Sequence, residues 1–521
     1  MYQIVRNATA SYIVIFQGSL NTKSYGKAIT AKLSTLPIQF ENKKVTSIPA
    51  VHNLARAGAL RRKLSIPNPT NFFRLSSFIV EHRKELYKLA RRSKFSLTSP
   101  GSQRKPRAIN PRSTLDAAPL ERARLRSTSR FILKADISRF YPSIYSHSIP
   151  WAIHTKPVAK ANHSPALFGN ALDQLIRNSQ DGQTIGLQIG PDPSLLISEI
   201  ILSAVDEKIR SNGDLKGFRY IDDYEFGFKT FAEAENILGV LQEELNLFEL
   251  SLNPRKTAIF KLPIRIEKSW VSELRSFSFR KTDKGQESDL LKYFDCAFEF
   301  SAQNPDEGVL KYAISRLNGL KVLKNNWHMY QHLLSQCCLT EPGVIKFAID
   351  QLARYATSFV IKKDTYEECL NELIFSHAPL GHGSEVAWAI FSLILLKLPI
   401  HRKALNVVSI MEDPIVAILA LDAKSKNLIS KSYTFDHFAT HMTTDDLYGD
   451  HWLLSYEANI KGWLPPVGPS DNVEKDPCFK FFKKQKVTFY NNSLTLDHII
   501  TRPFPPIADD GTGGGGVGGI Y

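Results

Sequence analysis

Three aspartates stand where runs of strand-forming residues end or turn. Phe131-Ile-Leu-Lys-Ala-Asp136 is an apolar run that delivers a carboxylate at its end, and Phe218-Arg-Tyr-Ile-Asp-Asp-Tyr-Glu-Phe-Gly-Phe228 carries Asp222 and Asp223 between two sets of alternating aromatics. Singly, each is weak: an Asp closing a strand is ordinarily a turn or cap residue, and an aromatic-x-Asp-Asp tetrad arises readily by chance. Together they are hard oxygen ligands, able to hold two Mg²⁺ ions about 4 Å apart, which is the chemistry of phosphoryl transfer.

Elements must bring these residues together. Phe218 and Tyr220 alternate on one arm and Tyr224, Phe226 and Phe228 on the other, which predicts a β-hairpin with Asp222 and Asp223 at its tip. Upstream, Gly186-Leu-Gln-Ile-Gly-Pro-Asp-Pro-Ser194 predicts a loop feeding a helix through Ile209, with Asp192 as N-cap and Pro193 as first helical residue. Downstream, Thr230-Phe-Ala-Glu233 has the form of a capping box and opens an amphipathic helix through Ile237, Leu238, Leu241 and Leu245. A short strand, Leu250–Asn253, and the segment Pro254-Arg-Lys-Thr257 follow.

The chain has 521 residues, 43% of them hydrophobic and 22% charged, which excludes a disordered or collagen-like protein and leaves room for two or three domains. Its net charge of +15 is concentrated: from Glu81 to Arg130 fourteen Lys or Arg face four acids. Such a face favours a polyanion, because each phosphate neutralised releases counterions. A solvated basic helix over residues 83–94 accounts for part of the same charge. The apolar stretch Val386–Leu396 falls short of the ~20 residues a bilayer span needs, so no membrane partner is expected. The first residues lack a signal pattern, and five cysteines form neither a disulfide framework nor a C-x-x-C pair, so a reducing cytoplasm is expected. From about 285 to 460 the pattern is helical. Prolines at 305, 342, 379 and 414 recur every 35–37 residues, a period that suits stacked helical hairpins, and three of them follow a polar or acidic residue (Asn304, Glu341, Asp413) and precede an amphipathic run, as at a helix start.

Strand with Asp136, helix, hairpin with Asp222 and Asp223, helix, strand is the order of a polymerase palm, and over roughly residues 70–270 the chain resembles a reverse transcriptase. Asp136 stands in the first catalytic motif, Tyr220-Ile-Asp-Asp223 is the aromatic-x-Asp-Asp motif, and Asn253, Lys256 and Thr257 resemble the motif after the palm hairpin. Arg104-Lys-Pro-Arg-Ala-Ile-Asn-Pro111 resembles the fingers segment whose arginine meets the incoming triphosphate. The resemblance implies an α+β fold, with right-hand fingers and palm over 71–270 and an all-α helical-repeat domain over 271–465. Around these lie an N-terminal extension (1–70), a C-terminal segment (466–510) and a Gly-rich tail (511–521). It implies Mg²⁺ on Asp136, Ile137 and Asp222, with Asp223 as a supporting catalytic carboxylate. It places Arg107, Tyr141, Gln188 and Lys256 at the nucleotide. Arg107 and Lys256 would stabilise triphosphate charge. Tyr141, five residues after Asp136, would block a ribose 2′-OH, so dNTPs are the expected substrates.

Ser143-Ile-Tyr-Ser-His-Ser-Ile-Pro-Trp-Ala-Ile-His154, Ile189-Gly-Pro-Asp-Pro-Ser194 and residues 377–390 resemble the bacterial abortive-infection and defence-associated reverse transcriptases. That closer resemblance implies antiphage defence, a bacterial cytoplasmic location and a homo-oligomer, with an RNA template or noncoding RNA and a DNA product as partners. Gln188 and Ile189 replace the proline and glutamine of the commoner Gly-Leu-Pro-Gln-Gly pattern, so ordinary template use does not follow. Relatives of this type can start synthesis on a protein hydroxyl. The eleven-residue tail, with a span of roughly 18 Å and a limit near 35 Å, makes Tyr521 a candidate primer. Two other readings stay open: an RNA-templated enzyme of a mobile element or noncoding-RNA system, and an inactive palm serving as a nucleic-acid scaffold or infection sensor.

Overall fold

The computed structural model describes residues 14–15, 20–41, 45–58, 60–101, 108–114 and 117–500. Arg107, the Gly-rich tail and Tyr521 lie outside them.

Two short antiparallel pairs come first: β1 (Val14–Ile15) with β2 (Leu20–Asn21), and β3 (Ala50–Ala55) with β4 (Arg61–Ile66). The central sheet is four-stranded and antiparallel, built from β5 (Phe131–Asp136), β6 (Lys216–Tyr220), β7 (Asp223–Phe228) and β8 (Ala258–Lys261) in the order β6-β7-β5-β8. It forms because its apolar residues pack under helices: Ile132, Leu133 and Phe226 have no exposed surface. Helix α1 (Asp192–Arg210) buries Leu196, Ile197, Ile200, Ile201, Val205 and Ile209 in that core. Helix α2 (Phe231–Asn246) lies against β5 and β7 through Ala234, Ile237, Leu241 and Leu245, the stripe its spacing predicts. Its capping box is present, Thr230 accepting from the Glu233 amide while the Glu233 carboxylate accepts from Thr230.

The second half is helical. It is a stack of paired helices: α3 (Asp283–Gln303) with α4 (Val309–Arg316), α5 (Trp327–Thr340) with α6 (Ile345–Tyr355), α7 (Lys363–His377) with α8 (Gly383–Leu396), and α9 (Arg402–Val408) with α10 (Pro414–Ser425). The second members α4, α6, α8 and α10 pack in sequence, and α11 (Trp452–Ile460) packs on α10. The proline period therefore marks a real repeat, but at another place in it. Pro414 alone of the four is the first residue of an α-helix, capped by Asp413, whose Oδ1 accepts from Ile415 N (2.9 Å) and Val416 N (3.1 Å). Pro305, Pro342 and Pro379 lie in the connections inside their pairs. A residue without an N–H interrupts a helix as readily as it starts one.

The expected N-terminal extension does not stand apart. Tyr25, Phe40, Ala50, Ile66 and Phe72 share one apolar core with the helical array and with Phe479, Phe482 and Phe489 of the C-terminal segment. Trp452 Nε1 donates to Ile66 O at 3.1 Å across that junction. Among the described residues no helix is long and apolar enough to cross a membrane.

Candidate active site

β5 and β7 pair in a register that sets Asp136 opposite Asp223, at the sheet end where β6 turns into β7. Asp222 lies in that turn, its carbonyl accepting from Ile137 N at 3.3 Å. The strand-like segment after α2 closes the other side: Asn253 N donates to Asp136 O (2.7 Å), Asn253 Nδ2 to Asp136 Oδ1 (3.1 Å) and Lys256 Nζ to Asp136 Oδ2 (2.8 Å). Residues up to 120 positions apart thus meet at one corner, as their order along the sequence requires.

The electrostatics follow from that crowding. Burial pushes the Asp222 carboxyl up to about 6, with the charge of Asp136 adding to the rise and Lys256 and Arg62 opposing it. Asp223 is pushed up as well, by burial of its carboxyl and by the charges of Asp222 and Asp136, although the residue as a whole is exposed. Carboxylates held together against their own repulsion call for a cation, and one is already there in the Lys256 ammonium. The residues fit a divalent ion: Asp136 and Asp222 offer carboxylate oxygens, and Ile137, whose side chain is buried, can offer only its carbonyl. Such an ion would polarise the reacting phosphate and lower the charge on the attacking and leaving oxygens.

The hairpin tip is fixed from beneath by residues whose role their spacing does not announce. Arg219 is fully buried and forks onto Glu199, Nη1 to Oε1 and Nη2 to Oε2 at 3.1 Å each, while Nε and Nη2 reach Asp206 Oδ2 at 3.0 and 2.8 Å. Its Nη1 also donates to Ile221 O at 2.7 Å, and Thr98 Oγ1 accepts from Ile221 N at 3.1 Å. Ile221 has φ +55°, a left-handed conformation disfavoured for a β-branched residue, and these two bonds hold it there. Thr98 and Ser96 in turn donate to Glu199, and Tyr224 and Ser93 to Asp206. Both buried carboxylates are thereby satisfied, which overcomes their desolvation.

The remaining expected residues are distributed as follows. Tyr141 is half-buried, its hydroxyl 3.4 Å from Ser198 Oγ and its carbonyl accepting from Leu187 N at 2.8 Å, which joins the segment after Asp136 to the Gly186 loop. Gln188 is tied to the helix end before its loop, its Nε2 donating to Ser179 O at 2.5 Å. Asp192 begins α1 but does not cap it. Its Oδ2 accepts from Ala108 N (2.9 Å) and Ile109 N (3.2 Å), so it grips the chain directly after the Arg107 segment.

Residues 66–280 match the family model described as reverse transcriptase (RNA-dependent DNA polymerase). No curated protein matches the chain. Among solved structures, apo telomerase from Candida tropicalis is similar with a TM-score of 0.33 and 12% identity, over 83% of this chain and 76% of that one. Telomerase from Candida albicans, in complex with a TWJ fragment of telomeric RNA, is similar with a TM-score of 0.28 and 10% identity, over 70% of each chain. The chain thus carries a reverse-transcriptase domain. It is a nucleotidyltransferase of that type.

Proposed function

We propose that this enzyme is a Mg²⁺-dependent DNA polymerase that extends a chain from dNTPs, on an RNA template or without one, and acts in antiphage defence in the bacterial cytoplasm as a homo-oligomer. The observation that carries the catalytic reading is the convergence of Asp136, Asp222 and Asp223 at one sheet end, with Asn253 and Lys256 bound to Asp136. In this reading Asp136 and Asp222 hold the ions with the Ile137 carbonyl, Asp223 supports them, and Lys256 leaves Asp136 for the triphosphate. Arg107, assigned by the resemblance alone, would meet the same phosphates. Tyr141 excludes a 2′-OH, and Gln188, tied to Ser179, helps shape the loop beside it. Defence is supported by the stack of helical pairs behind the palm, the arrangement that the closer resemblance implies. Priming from a protein hydroxyl belongs to this reading as an option, with Tyr521 or another tyrosine as the candidate.

The test supplies purified protein with Mg²⁺ and labelled dNTPs, with and without RNA, and resolves products before and after proteolysis. Incorporation is expected from the wild type and a loss of at least 10³-fold from Asp222→Asn, with an unchanged circular dichroism spectrum. Label that runs at protein mass until proteolysis, and is lost in Tyr521→Phe, supports priming from the tail. Phage protection that survives Asp222→Asn would mean that defence runs through a scaffold and not through synthesis.

A further inference from the structure

Far along the chain from the aspartates, the loops joining the last helices of the array bring a carboxylate and three imidazoles to one point. Glu412 lies just before α10. Its Oε1 is 2.8 Å from His437 Nε2, and its Oε2 is 3.5 Å from His441 Nε2 and 3.2 Å from His451 Nε2. Ligand atoms of Glu412, His441 and His451 all lie within 4.8 Å of one another. Behind two of the rings stand further carboxylates, Asp446 Oδ1 at 3.3 Å from His441 Nδ1 and Asp450 Oδ1 at 3.0 Å from His451 Nδ1.

Three Nε2 atoms thus converge on one carboxylate, and the rings of His441 and His451 are parallel with centroids 3.7 Å apart. Nε2 of His437 and Nε2 of His441 are buried with no hydrogen bond of acceptable geometry, despite their nearness to Glu412. The other histidine cluster differs in this respect: the Arg61 guanidinium bonds Glu385 and lies 2.8 Å from His382 Nδ1, so a cation is built in.

We propose that Glu412, His441 and His451 bind a zinc ion, with His437 as the fourth ligand. Imidazole nitrogens and one carboxylate are a donor set that suits zinc, and the aspartates on Nδ1 are the outer shell that fixes the ligating tautomer. Binding splays the two parallel rings so that their lone pairs converge. The ion would brace a junction: the loop between His441 and His451 accepts from Asn68 Nδ2 at Leu447 O (2.7 Å) and from Ile48 N at Tyr448 O (2.8 Å). Those donors belong to the segments that flank the β3–β4 pair, so the site ties the helical array to the chain entering the palm.

The experiment uses untagged full-length protein carrying Asp136→Asn and Asp222→Asn, so that the active-site carboxylates do not hold the metal. The protein is stripped with chelator and titrated with ZnCl₂ under excess Mg²⁺. One zinc per chain is expected after gel filtration, and Co²⁺ in its place should give the visible absorption of a tetrahedral site. Glu412→Gln and His441→Gln should each weaken zinc binding at least tenfold. Glu412 is 61% exposed, so its variant keeps the fold, which circular dichroism checks. Less than a tenth of an equivalent bound, or affinity unchanged in both variants, overturns the proposal.

Discussion

Arg219 lies three residues before Asp222 in sequence, and its guanidinium is committed on every side. Replacing it with Met removes the partner of two buried carboxylates, Glu199 and Asp206, and one of the two bonds that hold Ile221 at positive φ. Breaking a buried network in this way costs about 3–5 kcal/mol, so Arg219→Met is expected to fall well below wild type in thermal denaturation. Arg219→Lys should recover only part, because an ammonium cannot reproduce the fork onto Glu199. Thr98→Val is the finer probe. It removes the acceptor for Ile221 N and one donor to Glu199 while keeping the volume, at about 1–3 kcal/mol. Incorporation should drop at least tenfold in a protein that remains folded at the assay temperature. Activity unchanged in Thr98→Val would show that the tip is set by the strands alone.

At the scale of elements, the β3–β4 pair carries one titratable group shut off from water. His52 on β3 has no exposed surface, and burial lowers its imidazole to about 4. In the unfolded chain the same ring takes up a proton near 6.5. Folding stability is therefore whole above pH 6.5 and is lost as the pH falls toward 4, by about 1.4 kcal/mol per unit, or about 2 kcal/mol by pH 5. The drop in thermal midpoint between pH 7.5 and pH 5 should be smaller in His52→Gln than in wild type, and an equal drop would dismiss the effect. Elements of this kind differ in how far the sequence discloses them. The hairpin and α2 were legible because alternation and a capping box are local patterns. Asp192 has the local pattern of a cap, but its partners, Ala108 and Ile109, are more than eighty positions away. The same holds at the site. Asp136, Asp222, Asn253 and Lys256 stand out by spacing, whereas Arg62, Thr98 and Glu199 act through tertiary neighbours that no periodicity reports.

For the whole molecule, the distribution of the core decides which fragments can live alone. The palm has its own apolar cluster, from Leu133 and Phe226 to α1 and α2. Phe72 and Phe73 belong instead to the larger cluster that runs from Leu20 to Tyr490. A cut at residue 70 or 280 therefore passes through a core. It strips α1's neighbours little but leaves Phe72 and Phe73 facing water, and it removes Tyr25, Phe40 and Ile66 from Trp452, Phe482 and Phe489 in the other piece. Fully burying an apolar side chain is worth about 1.5–3 kcal/mol, so the loss of several is comparable to the whole ~5–15 kcal/mol by which a typical domain is stable. The family-matched segment 66–280 expressed alone is expected to aggregate, and a 71–521 chain to be protease-sensitive throughout its helical half. Limited proteolysis and size-exclusion chromatography of the two fragments beside the full chain check this. A monodisperse, well-folded 66–280 fragment would mean that the palm does not depend on the N-terminal segment that the helical array holds in place.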